Sequence, residues 1–201
     1  IACCGGAFIP CGTAGNMDQV VEEALQAGAR AIQLRDKEAG AGDLLATARR
    51  LRILTLRFGA LLIVNDRVDV ALAAAADGSH LGPHDLPVAA VRSSVPRGFI
   101  LGYSCDDPDH AMRAVAAGAD YIGCGTVYRT GTKLDAGEAI GLERLARVAA
   151  AVAVPVIAIG GITPERAVEV AATRAAGVAV VSAVMGAPDP GTTVRRLLAP
   201  F

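Results

Sequence analysis

Tryptophan is absent from this chain, and aromatic residues of every kind fill only 3% of its 201 positions. A core without aromatic bulk has to be assembled from Ala, Val, Leu and Ile, and hydrophobic content is 53%. A dominant charge sign is missing as well. The formal net charge is −1 and the basic residues are scattered over helix-like segments, which argues against a nucleic-acid surface and against an anionic membrane patch. Long apolar runs are also lacking. The longest, residues 149–162, is interrupted by Pro155 and by Gly160-Gly161, and it falls short of the roughly 18 residues a spanning helix needs. A soluble, single-domain chain is expected over residues 1–201, a length that one α/β barrel can fill.

Cysteine is present without a pattern. Cys3, Cys4, Cys11, Cys105 and Cys124 are odd in number and irregular in spacing, so a disulfide framework is not expected. They lack zinc-ribbon spacing, and His80, His84 and His110 lack a companion ligand pattern, which leaves buried or idle thiols. No basic region precedes an apolar stretch near the start, so no secretory signal is read and a cytoplasmic location is expected. The sequence begins at Ile1 and not Met, which leaves the true start of the chain open.

Lysine is the scarcest of the charged residues, with two against seventeen arginines. Lys37 lies in Gln33-Leu34-Arg35-Asp36-Lys37, and Lys133 ends Thr130-Gly131-Thr132-Lys133. Exposed loops are common places for lysine, but two lysines that both fall into strand-end motifs make chance the less attractive reading. In a chain that otherwise uses Arg, a surviving Lys fits a place where a compact ammonium must sit among phosphate oxygens.

Short β-like runs alternate with helix-like segments throughout. Strands are expected at residues 7–10, 29–34, 60–64, 78–81, 99–101, 121–124, 154–159 and 177–181. Helices are expected at 17–27, 43–58, 67–76, 88–92, 107–117, 141–152, 164–172 and 190–198. Gly28, Gly118 and Gly177 follow helix-like segments and fit positions just past a helix end, where positive φ is needed. Eight strands, seven intervening helices and a final one point to an α/β fold, a single (β/α)8 TIM barrel. An open doubly wound sheet is the competitor, but no G-x-G-x-x-G follows the first strand.

In such a barrel the chemistry sits at the C-terminal ends of the strands, and that is where the polar residues fall. The second strand leads to Gln33, Arg35 and Lys37, and the third to Asn65 and Asp66. The fourth leads to His80, His84 and Asp85, the fifth to Ser104, and the sixth to Thr130, Thr132 and Lys133. Gly160-Gly161 follows the seventh, and Val181-Ser182 the eighth. Acids beside cations make sense if a hard cation bridges them, because Mg²⁺ takes one or two carboxylates plus phosphate oxygens. The alternative for Asp66 and Asp85 is an ion pair with Arg67 or a helix cap. Gly160-Gly161 ahead of Thr163-Pro164 offers bare backbone N–H groups at an expected helix start, a phosphate cradle, with Ser182 as a second donor. A side chain at Gly161 is expected to crowd the ligand. The mouth has room for two phosphorylated groups.

At these residues the chain resembles the thiamine-phosphate synthase (thiamine-phosphate pyrophosphorylase) family, over residues 19–190. The pieces that carry the resemblance are Gln33-x-Arg35-x-Lys37, Asn65-Asp66-Arg67, the segment 76–82, Asp85, Gly102-x-Ser104, the segment 120–123, Thr130-x-Thr132-Lys133 and the segment 159–162. The resemblance implies a (β/α)8 enzyme that joins hydroxymethylpyrimidine diphosphate to hydroxyethylthiazole phosphate. It implies Gln33, Asn65, Ser104 and Thr130 on the pyrimidine, Arg35, Lys37 and Lys133 on the diphosphate, and Asp66 and Asp85 on a Mg²⁺ cofactor. It implies Thr132, Gly161, Val181 and Ser182 on the thiazole phosphate, with Lys133 reaching both. Lys133, Arg35, Lys37 and Ser104 are the residues closest to the chemistry. The implied partners are the two small-molecule substrates, with no nucleic acid and no membrane; a homo-oligomer stays open.

The chain departs from the family pattern in three places. The first strand does not end in Thr-Asp, Arg129 stands where the loop usually has proline, and Cys105-Asp106 replaces the Thr-His after Ser104. Two alternatives share the resemblance: a thiazole tautomerase, which needs no diphosphate or metal, and a non-catalytic paralogue that binds thiazole or thiamine phosphates. The tautomerase branch often lacks the acid at Asp85 and carries a His where Thr126 stands, so the present residues favour the synthase.

Overall fold

The computed structural model describes residues 6–11, 17–130 and 138–201. Eight parallel strands close into a barrel in chain order: β1 (Gly6–Cys11), β2 (Ala31–Leu34), β3 (Leu61–Asn65), β4 (Gly78–Leu81), β5 (Ile100–Ser104), β6 (Tyr121–Cys124), β7 (Val156–Ile159) and β8 (Gly177–Ala179). Closure is completed by β8 pairing with β1, Gly6 opposite Gly177 and Phe8 opposite Ala179. Around it lie α1 (Met17–Gln26), α2 (Ala41–Phe58), α3 (Val68–Ala73), α4 (Val88–Ser94), α5 (Pro108–Ala116), α6 (Gly141–Ala151), α7 (Ala167–Ala171), α8 (Ser182–Met185) and α9 (Pro190–Leu198). The expected (β/α)8 architecture is the one observed.

Both faces of β2 to β8 are largely buried, which is why these strands read as continuous apolar runs. Outward residues such as Ile32, Leu62, Val64, Leu101, Ile122 and Val178 pack under the helices. Inward residues form a separate cluster inside the barrel: Ala31, Ile63, Ile100, Tyr121, Ile157 and Ala179. Each buried Leu or Ile contributes roughly 1.5–3 kcal/mol, so a core of aliphatics suffices without tryptophan.

Local chemistry sets the helix limits. Asp107 caps α5 by accepting from His110 N at 2.9 Å, and Asp189 caps α9 by accepting from Thr192 N at 2.7 Å, each followed by a proline in the first turn. Gly28 and Gly118 take φ of 103° and 105° after their helices, as expected. Gly177 does not; it is the first residue of β8, and the left-handed position after α7 falls on Arg174, with φ 68°. Helix α7 begins at Ala167, later than the expected residue 164, because Arg166 N bonds to Thr163 O at 3.0 Å and closes a tight first turn. The single-turn α8 was not expected. Four residues are too few to show a 3.6-residue period.

The N-terminal rim of the barrel is fastened twice by the same device. Asp77, just before β4, accepts from Leu62 N at 2.8 Å and from Arg52 of α2 at 2.7 and 3.1 Å. Asp120, just before β6, accepts from Leu101 N at 2.8 Å and pairs with Arg92 of α4. Arg92 also donates to Phe99 O and Gly118 O, both at 2.8 Å. An acid with Ala before it at a strand start thus fixes its own strand, the preceding strand and a helix. Asp120→Ala should destabilise the fold by about 2 kcal/mol, because it leaves the Leu101 N–H without its acceptor and Arg92 without its carboxylate partner. Thermal melting should show a drop of roughly 4–8 °C, with the KM of both substrates unchanged, since this rim lies away from the mouth.

Candidate active site

Strand alternation carries the chain from packing to chemistry. Two residues beyond the inward Ala31 of β2 comes Gln33, and two beyond Ile63 of β3 comes Asn65. Asn65 stands opposite His80 of β4, His80 opposite Gly102 of β5, and Ser104 opposite Gly123 of β6. Because successive side chains in a strand face opposite sides, a polar layer caps the apolar one. Above it opens a cavity of about 720 Å³ whose wall includes Arg35, Asn65, Asp66, Asp85, Ser104 and Gly161. Lys37, Thr130, Val181 and Ser182 also line it. Gln33 does not; it is buried within β2. Thr132 and Lys133 lie outside the described residues.

Asp66 and Asp85 meet across the β3 and β4 ends. Asp66 N donates to His80 O at 2.8 Å, which extends the β3–β4 ladder, and Asp66 then takes a φ of 60°. That left-handed conformation is tolerated by Asp better than by most residues. Arg67 pairs with Asp69 and not with Asp66, and neither α3 nor α4 has a side-chain cap, so neither acid serves as the helix cap its sequence position allows. Asp85 closes its own turn by accepting from Gly82 N at 2.7 Å. Burial, then a hydrogen bond and repulsion from Asp85, push the Asp66 carboxyl up to about 6, against the lowering pull of Lys37 and Arg35.

Two facing carboxylates with no cation between them repel when ionised. Hard oxygen donors of this kind fit Mg²⁺. Among the described residues no three of His, Cys, Asp and Glu stand together. The neighbouring Lys37 loop is shaped by Asp36, whose Oδ1 accepts from Glu38 N and Ala39 N at 3.1 Å each.

The opposite side of the mouth is built by the ends of β6, β7 and β8. Val127 N donates to Ile159 O at 2.9 Å, and Tyr128 N to Gly160 O at 3.0 Å, so the two strand-end segments lie directly on one another. Gly161 has a φ of 64°, and a Cβ there would come within 2.8 Å of the carbonyl oxygens of Tyr128 and Arg129. The crowding expected against a ligand is therefore met first by the protein's own backbone. Arg166, a residue the sequence did not single out, fastens this corner. It donates to Gly161 O at 2.6 Å and lies over the Tyr128 ring at 4.4 Å, while Tyr128 Oη donates to Glu169 at 2.8 Å. The Gly160-Gly161 pair does not lead straight into α7, which starts six residues later. The short α8 instead opens at Ser182, on the exposed rim of the cavity.

The two thiols among the described residues, Cys105 and Cys124, are not nucleophiles here. Cys124 is buried and Cys105 half-buried, and burial pushes them up to about 12 and about 11. A neutral thiol is a poor nucleophile. His80, placed at a strand end by the sequence, was given no role there. It is buried against the cavity floor, with Nδ1 2.9 Å from Tyr121 Oη and Nε2 2.7 Å from Ser104 Oγ. Its phase with Asn65 on neighbouring strands was the available signal.

A closed barrel with acids and cations on one side of its mouth and a glycine-lined corner on the other defines a (β/α)8 enzyme acting on phosphorylated small molecules. Comparison with known proteins narrows this. Residues 8–184 match the thiamine monophosphate synthase family, and the chain belongs to it. It is 49% identical over 179 residues to the thiamine-phosphate synthase of Moorella thermoacetica, covering 89% of this chain and 85% of that protein. It is 52% identical to the bifunctional ThiM/ThiE protein of Symbiobacterium thermophilum, of which it spans only 37%. The solved thiamine phosphate pyrophosphorylase from Pyrococcus furiosus superposes with a TM-score of 0.87 at 40% identity, covering 96% of this chain and 93% of that one.

Two outcomes are expected from this geometry. Gly161→Ala should raise the KM of both substrates, because the added Cβ presses on the Tyr128 and Arg129 backbone next to Thr130 in the cavity wall; steady-state kinetics with each substrate varied will show it. The raised Asp66 carboxyl makes the ligand-free fold less stable as pH rises from the unfolded value of 3.8 through about 6, because the folded state then holds a proton that the unfolded state has lost. Asp66→Asn should therefore melt higher than the unaltered protein at pH 7 in chelator, with the difference gone at pH 3.

Proposed function

We infer that the chain couples hydroxymethylpyrimidine diphosphate to hydroxyethylthiazole phosphate, giving thiamine phosphate and pyrophosphate. The observation that carries this is the split mouth, with Arg35, Lys37 and two facing acids on one side and the Gly161–Ser182 corner on the other. Family membership, and relatives named for this activity across most of their length, support it.

The reaction needs no protein nucleophile. The methylene–oxygen bond of the pyrimidine breaks and its electron pair leaves with pyrophosphate. The thiazole nitrogen then donates its lone pair to the same carbon, and the new C–N bond leaves the nitrogen positively charged. Asn65 and Ser104, projecting from the polar layer, hold the pyrimidine ring at the centre of the mouth, with Gln33 and Thr130 beside them. Arg35, Lys37 and Lys133 bind the diphosphate and offset the charge that grows on the leaving oxygen. Asp66 and Asp85 hold Mg²⁺, which when bound neutralises phosphate charge and keeps both acids ionised. Gly161 N–H, Val181 and Ser182, with Thr132, seat the thiazole phosphate. Two reactants held in line gain most of their rate from that positioning.

The pair of facing acids favours the synthase over a tautomerase, which has no diphosphate to bind. No helix among the described residues is long and apolar enough to cross a membrane, and small, charged substrates fit a cytoplasmic enzyme.

Incubation with both substrates should yield thiamine phosphate and pyrophosphate only with Mg²⁺ present. Lys133→Ala should lose more kcat/KM than Lys37→Ala, because the family pattern assigns Lys133 to both phosphates and Lys37 to one, and Lys133→Arg should recover little. Product formation in excess chelator would overturn the metal assignment, and equal losses for the two lysines would overturn their ranking.

A further inference from the structure

His80 is held inside the barrel by a deliberate vacancy. Its neighbours on the next two strands, Gly102 and Gly123, have no side chains, and a Cβ on Gly102 would overlap both the His80 and Tyr121 rings. A Cβ on Gly123 would sit 2.9 Å from the His80 ring. Two adjacent strands thus give up inward side chains to seat one imidazole. If packing alone were at stake, an aliphatic side chain would fill this space without the cost of burying polar atoms. The imidazole instead spans from the apolar layer to the mouth, Tyr121 Oη on one nitrogen and Ser104 Oγ on the other, and its edge lines the cavity.

We propose that His80, itself held by Tyr121, is a positioning residue whose Nε2 accepts the Ser104 O–H hydrogen bond, so that Ser104 turns its lone pairs toward the bound aminopyrimidine. The proposal rests on the reading above in which Ser104 faces the pyrimidine. A neutral imidazole carries one proton. With that proton on Nδ1, His80 donates to Tyr121 Oη and accepts from Ser104, leaving Ser104 an acceptor toward substrate. With the proton on Nε2, Ser104 would be a donor.

The chemistry selects the first arrangement. As the methylene–oxygen bond breaks, positive charge spreads into the aminopyrimidine and its amino N–H groups become stronger donors. A hydroxyl acceptor aimed at them is worth more in the transition state than in the ground state, which is the condition for a gain in rate. A hydroxyl donor at the same place would oppose that charge. No proton changes owner in the step; His80 only decides which way the Ser104 O–H dipole points.

A double-mutant cycle in kcat tests this, using His80→Leu, Ser104→Ala and their combination, with melting curves to confirm folding. Loss of one oriented hydrogen bond predicts that His80→Leu lowers kcat on the order of tenfold, with the thiazole phosphate KM unmoved. In the Ser104→Ala background the same change should have almost no further effect, because His80 acts through Ser104. His80→Gln, whose Oε1 can take the place of Nε2 as acceptor, should restore most of the loss. Multiplying losses in the double variant, or a Gln variant as poor as Leu, would overturn the assignment. Nitrogen-15 NMR of the unaltered protein stands apart from activity and from the folding of any variant. A protonated Nδ1 and bare Nε2 are expected for His80, and the reverse tautomer sinks the proposal. An unaltered protein that makes no thiamine phosphate but shows the expected tautomer would instead remove the functional reading and leave the orientation of Ser104 standing.

Discussion

Closure of an eight-stranded sheet is the constraint on which the rest of this structure depends. Once β8 pairs with β1, every strand has an inside and an outside, and the two-residue period of a strand fixes which side chain goes where. The inward apolar cluster from Ala31 to Ala179 and the polar layer above it are consecutive turns of the same alternation. Gln33, Asn65, His80 and Ser104 come together from four strands because each is in phase with its neighbours across the register. A slip of one residue in any of these pairings would send a site residue under the helices and an aliphatic one into the mouth.

That dependence explains how much could be read from the sequence. All eight strands were legible because buried parallel strands leave short apolar runs, and the strand-end rule then placed Asn65, Asp66, Asp85 and Ser104 at one mouth. What the sequence did not show was set by contacts between distant segments. Gly161 was read as a place for close ligand approach, whereas its missing Cβ first makes room for the Tyr128 and Arg129 carbonyls. Arg166 was one arginine among seventeen until the fold laid it over Tyr128. Gln33 belongs to a motif with Arg35 and Lys37 but is buried within its strand, because neighbours in sequence point to opposite sides of a sheet while residues two apart differ in height. His80 lay in a motif noted for Asp85, and its role depends on two glycines that carry no chemical signal of their own.

The two rims of the barrel divide the work of charged groups. At the N-terminal rim, Asp77 and Asp120 are each matched to an arginine and to a backbone N–H, so their charge is spent on holding strands together. At the mouth, Asp66 and Asp85 face one another and the nearby cations do not cancel the effect, since Asp66 remains raised to about 6. Among the described residues the two acids are thus left without a full electrostatic partner, a condition that a bound cation would relieve. The fold tolerates this because stability is supplied elsewhere, by the aliphatic layers and the fastened rim.

The absence of tryptophan has an optical consequence. The chain's intrinsic emission comes from three tyrosines in three distinct settings. Tyr103 packs against the core beneath the helices, Tyr121 bonds to His80 under the floor of the mouth, and Tyr128 bonds to Glu169 beneath a guanidinium at its rim. Two of the three fluorophores therefore contact residues that line the cavity, one beneath its floor through His80 and one at its rim through Arg166, with no indole to mask them. The protein carries its own pair of spectroscopic reporters next to the mouth, without a label.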